Sequence, residues 1–273
     1  MASTQERTRE QLRKSIGRNL IGHRLIVSAA TSAGDETGLI DDTLLGGDDN
    51  YNGWWFVATG GEAVRRVSDY DSASARLSWT RPLAQATAVN DSYELWPSEY
   101  PPEVVHDYIN QAIGETVGHI YEPVEDISLH AGGGLARFTI PAGVDAISKV
   151  QVRVSASSPS PIDTDSAVWR TLPARLWGIE KGERALTLTD GGRRQAGNAA
   201  LKIIGGREPS PLASDDSTTV VPDEFIIARA TSLALMASPE LSESGRVACE
   251  RWDARTREAR ATFPLLTNMR RVG

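Results

Sequence analysis

The stretch that most constrains the fold is residues 46–96, in which short β-forming segments alternate with tight polar turns. Three short strands are predicted there, at residues 54–57, 63–68 and 76–79. Trp55 and Val57 fall on one face of the first strand, and apolar residues alternate in the same way in the third. Because such alternation is typical of a sheet with one buried face, this stretch predicts a small antiparallel sheet.

The most strongly patterned helix is predicted at residues 102–121. Proline is tolerated in the first turn of a helix, and apolar side chains such as Val105, Ile109 and Ile113 then recur along one face. Residues 134–206 return to short alternating strands separated by Gly, Pro and Asp clusters, which is typical of a β-sandwich or a small barrel.

These patterns together predict an α+β protein. Its β-rich body would consist of one or two small antiparallel sandwiches or barrels, joined and flanked by amphipathic helices. The predicted segments are an N-terminal helical arm at 1–24, a first β-region at 25–97, a connecting helix at 98–124, a second β-region at 130–215, C-terminal helices at 221–263 and a tail at 264–273.

Charge is distributed unevenly along the chain. The formal net charge is −7, yet residues 1–24 and residues 246–273 each carry about +4. Basic ends on an acidic body favour docking onto acidic neighbours, including copies of the same chain, although solvated helix faces explain the same charges. Sequence-specific nucleic-acid binding is disfavoured, because the acidic middle repels phosphate and no aromatic residues interleave with the arginines.

Compartment and chemistry are constrained mainly by what the sequence lacks. It has no long apolar run that would span a membrane and no apolar secretory signal, and Cys249 is its single cysteine, so synthesis in a reducing cytoplasm is expected. No nucleophile elbow, phosphate loop, metalloprotease motif or dinucleotide fingerprint occurs. We therefore predict no enzymatic activity, no catalytic residue, no cofactor and no metal site.

One near-match to an ion-binding motif occurs at Asp48, Asn50, Asn52 and Gly53, which reproduce the first half of a calcium loop. The position that should supply a bidentate glutamate is Thr59. An Asx-rich β-turn explains the same residues, because Asp and Asn side chains cap their own backbone. Both interpretations stay open at the level of sequence.

The residues predicted to contact partners lie in three places. One is a narrow apolar stripe on the predicted helix 4–21, and another is Trp54, whose neighbour Trp55 must point to the opposite face of the strand. The third is the tail, whose deletion from Leu265 to Gly273 is expected to leave the fold intact. The full set is Leu12, Ile16, Leu20, Trp54, Leu265, Leu266, Met269, Arg270 and Arg271.

The order of motifs in the central stretch resembles a module of tailed-bacteriophage virion proteins. It runs Asp-Asp-Asn-Tyr-Asn-Gly-Trp at 48–54, then Gly60-Gly61, then Arg-Arg-Val-Ser-Asp-Tyr-Asp at 65–71. The Pro-Pro helix start at 101–102 and the Pro-Asp-Glu-Phe-Ile-Ile segment at 222–227 are similar to helices of head–tail connector proteins, the adaptor or neck proteins of these particles.

This resemblance implies a structural protein of the virion neck, assembled as a closed, twelve-fold homo-oligomeric ring that links the portal protein to tail or stopper (nozzle) proteins. DNA would pass through the lumen without sequence-specific binding, and no membrane would be involved. The large β content departs from mostly helical adaptors, so a stopper, tail-terminator or baseplate position stays open. A carbohydrate-binding or tail-fibre module, with Trp54 or Trp96 as a stacking platform, is the alternative from another class.

Overall fold

A computed structural model describes residues 7–58, 63–132, 134–154, 168–180, 182–237, 243–263 and 269–272. Within those ranges the chain forms five α-helices and sixteen strands in four antiparallel sheets, which confirms the predicted α+β, β-rich fold. The helices are α1 (Arg9–Ile21), α2 (Pro102–Gly114), α3 (Asp190–Ala196), α4 (Asp223–Met236) and α5 (Glu243–Ala261). None of the described helices combines the length and the hydropathy needed to cross a membrane.

The strands are short, with three long exceptions in the second half of the chain. They are β1 (Ile26–Ala29), β2 (Ser32–Asp35), β3 (Gly38–Ile40), β4 (Trp55–Ala58), β5 (Val64–Arg66), β6 (Asp69–Asp71), β7 (Arg76–Ser78), β8 (Ser92–Trp96), β9 (Glu122–His130), β10 (Arg137–Thr139), β11 (Ala146–Val154), β12 (Val168–Thr171), β13 (Trp177–Glu180), β14 (Ala185–Leu188), β15 (Ala200–Arg207) and β16 (Arg270–Arg271).

The chain divides into two compact units, each built from two separate segments. Unit 1 comprises Met1–Glu115 and Ser210–Thr262, and unit 2 comprises Thr116–Pro209 and Phe263–Gly273. The predicted first β-region, connecting helix and C-terminal helices therefore belong to one unit. They are brought together by contacts between helices that are far apart in the sequence. No local pattern encodes such contacts.

The β part of unit 1 contains two four-stranded sheets, with strand orders β1-β8-β4-β5 and β2-β3-β7-β6. Phe56 and Tyr93 of the first sheet share one apolar core with Leu39, Tyr70 and Leu77 of the second. The prediction that residues 54–57, 63–68 and 76–79 form a single sheet is therefore wrong. The third segment, β7, pairs with β3 and β6 instead.

Two segments of unit 1 that the sequence presents as polar connectors are paired strands. Residues 32–40 form the β2–β3 hairpin, and Asp69–Asp71 forms the edge strand β6, although we predicted a turn there. In β6 the two aspartates point to solvent while Tyr70 is buried between them. One buried aromatic residue on an edge strand is enough to fix the register, because a slip by one residue would expose it.

Strand β8 holds the sheet and the helices of unit 1 together, because it is buried on both faces. Tyr93 and Leu95 point into the β core, whereas Glu94 and Trp96 point the other way. Trp96 packs on α1 at Gly17, where an added Cβ would lie 2.4 Å from the indole ring. Glycine is thus required there, although it weakens the helix by about 1 kcal/mol relative to alanine.

Helix α1 ends at the predicted residue 21 but begins at Arg9 and not at residue 4. Thr8 caps α1, since its hydroxyl accepts a hydrogen bond from the Gln11 amide while the Gln11 side chain accepts one from the Thr8 amide. Helix α2, however, ends at Gly114 and not at residue 121. Glycine is a poor helix former, and the backbone at Gly118 has a φ of +82°, which no helix accommodates.

Unit 2 has a five-stranded sheet, in which β12, β11, β15 and β9 follow one another and β16 also pairs with β11, and a three-stranded sheet with the order β10-β14-β13. Val150, Val152, Leu201 and Ile203 point from the larger sheet into the core of this unit. Strand β9 and helix α3 escaped prediction. Glu, Pro, Asp and Ser occupy much of β9, and only its pairing with β15 makes it a strand.

The end of the chain is part of unit 2 and not a free arm. Val272 is fully buried in the core of the unit, and β16 pairs with Ala146 and Ile147 of β11. The predicted docking residues Arg270 and Arg271 are correspondingly engaged: Arg270 donates 2.7 Å to the Trp177 carbonyl, and Arg271 donates 3.0 Å to the Tyr121 hydroxyl. Leu265 and Leu266 lie outside the described residues, and Met269 is half-buried.

This arrangement contradicts the expectation that the tail can be removed with the fold left intact. Deleting residues 270–273 should destabilise unit 2, and Val272→Ala alone should cost about 1–3 kcal/mol, because it removes apolar volume from a closed core. Hydrogen exchange in β11 and β15 measures the loss within this unit. The exposed Arg194→Ala is the control, expected to change stability by less than about 0.5 kcal/mol. Unchanged exchange in the truncated chain would restore the free-arm interpretation.

Candidate protein-interaction surface

A buried carboxylate, Asp41, fixes the start of an exposed loop in unit 1. It accepts hydrogen bonds from the hydroxyls of Ser28 (2.7 Å) and Tyr93 (2.5 Å), and from both the amide (2.9 Å) and the hydroxyl (2.6 Å) of Thr43. Burial would raise the pKa of Asp41, but these hydrogen bonds lower it overall. The carboxylate is thus ionised and holds the backbone that follows β3.

The loop after Asp41 is held from beneath by two tyrosines and presents a leucine to solvent. The Tyr51 hydroxyl donates 2.6 Å to the Leu45 carbonyl, and the Tyr70 hydroxyl donates 3.3 Å to the Leu44 carbonyl. Leu44 is buried in the core, whereas the Leu45 side chain is 84% exposed. We call residues 41–53 the Leu45 loop. Its backbone is already ordered, so binding through it would lose little conformational entropy.

Carboxylates surround this leucine. Asp42, Asp48 and Asp49 on the loop are exposed, as are Asp69 and Asp71 on the neighbouring strand β6. The loop and the strand are joined by hydrogen bonds from the Asp49 amide to the Tyr70 carbonyl (3.0 Å) and from the Ser72 amide to Asp48 (2.8 Å). The surface is therefore an apolar tip within a negatively charged rim.

The half-motif for calcium lies in this loop, and its oxygens have protein partners. Asp48 Oδ1 accepts from both the amide and the hydroxyl of Ser72, which lowers the pKa of this carboxyl. Asp49 Oδ1 accepts from the Asn52 amide group at 2.5 Å. No set of three potential metal-ligating His, Cys, Asp or Glu side chains is found in the described part of the chain. The local geometry is that of an Asx-rich turn.

A second cluster of ionisable groups lies beneath α1 and is fully enclosed. Arg13 forms a two-point contact with Glu94, at 2.7 and 3.1 Å, and donates 2.7 Å to Asp215. Arg9 also contacts Asp215, at 3.1 Å, so two cations neutralise two carboxylates. Glu94 in addition accepts from the Trp96 indole at 2.8 Å. This network joins α1 to β8 and to the segment before α4.

His106 of α2 completes the network as a neutral acceptor. Its Nε2 lies 2.8 Å from Nη1 of Arg13, which can only donate, so Nε2 must carry a lone pair and the proton resides on Nδ1. Burial, together with the nearby Arg13 and Arg9, lowers the pKa of His106 to about 4. The cluster is charge-balanced and closed, and its geometry is that of a structural clamp on α1.

The apolar stripe on α1 that was predicted to bind a partner packs inside unit 1. Leu12 and Ile16 are fully buried within unit 1, so the expectation that they face another subunit is wrong. The helix is charged around most of its circumference, but two of those charges, on Arg9 and Arg13, point inward and are paired there. Leu20, further along the helix, is half-buried.

The tryptophans likewise differ from expectation. Trp96 is fully buried against α1, which excludes it as a stacking platform for a sugar. Trp54 is half-buried on the β core, with its ring edge-on to Tyr51 at 5.2 Å. Trp55 is also half-buried and donates 3.3 Å to the Ser98 carbonyl. Leu45, which sequence reasoning missed, is more exposed than any of them; its position after Leu44 in a Gly-Asp-rich turn was the available signal.

Comparison with known proteins identifies no relative: the sequence matches no protein-family model and no curated protein.

Removing the central cation of the clamp should be strongly destabilising. Arg13→Ala leaves Glu94 and Asp215 buried without their main partner, so we expect a loss of about 3–5 kcal/mol in unfolding free energy. Arg18→Ala on the exposed side of the same helix is the matched control and should change it by less than about 0.5 kcal/mol. Urea denaturation measures both. Equal, small effects would show that the network is not a clamp.

The clamp also predicts a pH dependence with a defined sign. His106 has a folded-state pKa of about 4 and an unfolded value near 6.5, so between these pH values the unfolded chain takes up a proton that the folded chain does not. Stability should therefore fall as pH decreases through this window, by up to about 1.4 kcal/mol per pH unit. Asp215, with a lowered pKa, stays ionised there and loses its contribution only at lower pH.

His106→Gln isolates this contribution, since the glutamine carbonyl can still accept from Arg13 but does not titrate. Urea midpoints at pH 7 and pH 4.5 should differ less in the variant than in the parent chain. An identical difference in both would assign the pH dependence to other groups.

Proposed function

We propose that this chain is a structural protein of a tailed-phage particle, an adaptor ring subunit between the portal and the tail, with DNA passing through the lumen. The observation that carries the proposal is the Leu45 loop. The segment that resembles phage neck proteins begins at Asp48, within this loop, and the loop presents an exposed leucine, Leu45, on an ordered backbone. Apolar side chains that are both exposed and held in place are suited to contacts with other proteins.

The helical part of unit 1 supports the same role. Helix α5 runs for 19 residues and packs on α4, while Cys249 and Ala259 are its only buried residues among those described. Most of its surface, including Val247 and several arginines, faces solvent. A long peripheral helix of this kind offers a neighbouring subunit a second contact, as a heterologous ring requires on each protomer.

In this role the chain acts by association alone. A head-to-tail contact repeated around an axis closes into a ring when the rotation per subunit divides the circle. An obligate interface of that kind buries about 2,000 Å² or more, far beyond the Leu45 loop itself, so the loop would be one anchor within a larger contact.

Native mass measurement and negative-stain microscopy, with and without portal protein, test the proposal. We expect closed oligomers, and we expect Leu45→Asp to reduce their yield at least about tenfold, because it buries a charge at a central contact. Val89→Asp, at another exposed apolar residue of unit 1, is the matched control and should leave assembly unchanged. A chain that stays monomeric even with portal protein present would contradict the proposal.

A further inference from the structure

The two units carry opposite net charge. Unit 1 has 16 Lys and Arg against 26 Asp and Glu, whereas unit 2 has 13 Lys and Arg against 10 Asp and Glu. The acidic character of the whole chain therefore belongs to unit 1, and unit 2 is mildly basic. Charges divided in this way favour a contact in which unit 1 of one copy meets unit 2 of another.

The outer face of the five-stranded sheet in unit 2 carries both cationic and apolar side chains. Successive strand residues point to opposite faces, and Val150, Val152, Leu201 and Ile203 point into the core. The residues between them consequently point outward. Across β12, β11 and β15 these are Trp169, Thr171, Lys149, Gln151, Arg153 and Lys202, brought side by side by the registers Arg153↔Trp169, Gln151↔Thr171 and Gln151↔Lys202.

One cation lies over an aromatic ring on this face, and two further cations share the face. Lys202 Nζ lies 5.8 Å from the centre of the Trp169 ring and 2.5 Å from Glu125 of β9. Lys149 and Arg153 are exposed, and neither forms an ion pair with any residue that the structure describes. Ile127 of β9 adds an exposed apolar side chain to the sheet. The face thus combines a half-buried tryptophan with net positive charge.

The Leu45 loop has the complementary composition. It offers an apolar tip for Trp169 and exposed Asp42, Asp48 and Asp49 for Lys149 and Arg153, on a backbone already fixed by Tyr51 and Tyr70. A basic sheet face with a half-buried aromatic ring also suits single-stranded nucleic acid. The net charge of the chain argues against that occupant, because the acidic unit 1 would repel a polyphosphate.

We propose that the outer sheet face of unit 2, at Lys149, Arg153 and Trp169, receives the Leu45 loop of a second copy of this chain. The contact is heterologous, since each copy contributes a loop on one side and a sheet face on the other. It therefore propagates from copy to copy and closes only when the rotation between subunits permits. This inference rests on the proposed assembly role and assigns the surfaces through which it occurs.

Site-specific photocrosslinking tests the contact directly. p-Benzoyl-phenylalanine replaces Leu45 in full-length chain, equal amounts of ¹⁴N- and ¹⁵N-labelled protein are mixed under assembly conditions, and crosslinked peptides are identified by mass spectrometry. We expect mixed-isotope crosslinks to β11, β12 or β15. The same probe at Val89, exposed in unit 1 outside the loop, should not label these strands.

Charge reversal and its rescue provide the second arm. Lys149→Glu with Arg153→Glu should reduce the crosslink at least about tenfold, since like charges across an interface are strongly unfavourable. Asp42→Lys with Asp49→Lys in the probe-carrying copy should restore most of it. Arg194→Glu, on the exposed side of α3 in the same unit, is the control and should have no effect.

Each other result overturns the inference. Crosslinks within one copy, crosslinks to other surfaces, or none at all would each show that the Leu45 loop does not meet this face. The inference would also be overturned if a chain that forms no crosslink bound an oligothymidylate and lost that binding with Lys149→Glu and Arg153→Glu. Closed oligomers with crosslinks elsewhere would contradict this contact but not the adaptor role, whereas a chain that stays monomeric would contradict both the contact and the role.

Discussion

The structure of unit 1 depends on a strand that is buried on both faces. Strand β8 brings Glu94 and Tyr93 into two different interiors, one beneath the helices and one within the β core. A buried carboxylate needs a cation, and Arg13 of α1 supplies it. On the other face, Tyr93 donates to Asp41 and so anchors the start of the Leu45 loop. One strand thus links the position of the first helix to the shape of the exposed loop.

This coupling explains why two regions that differ in chemistry are both well ordered. The Arg13 network is charge-balanced and buried, and it holds α1 in place because Arg13 pairs with both Glu94 and Asp215. The Asp41 network is smaller, and it fixes the backbone of the loop that presents the Leu45 side chain to solvent. Exposing Leu45 has no benefit for the stability of the isolated chain, and a backbone held by Tyr51 would lose little conformational entropy if the leucine bound a partner.

Much of the fold follows from local patterns in the sequence, and what does not is long-range. Strands β4, β7, β11 and β14 and helices α2, α4 and α5 follow from periodicity and start signals. Periodicity could not assign β7 to a second sheet, because strand pairing depends on residues far away in the chain. The salt bridge between Arg13 and Asp215 joins residues that are 202 positions apart in the chain. The sequence around Arg13 is typical of a solvated helix face and the sequence around Asp215 is typical of a turn, so neither indicates the pairing. The adaptor role stays a prediction.

The central claim is that the Leu45 loop is a surface for other proteins. Hydroxyl-radical footprinting of Leu45 in the purified chain and in the assembled particle measures this most directly, because oxidation of a side chain tracks its exposure to water. The account predicts rapid oxidation of Leu45 in the isolated chain and strong protection after assembly, with Val89 unchanged between the two. Equal oxidation of Leu45 in both states would contradict it.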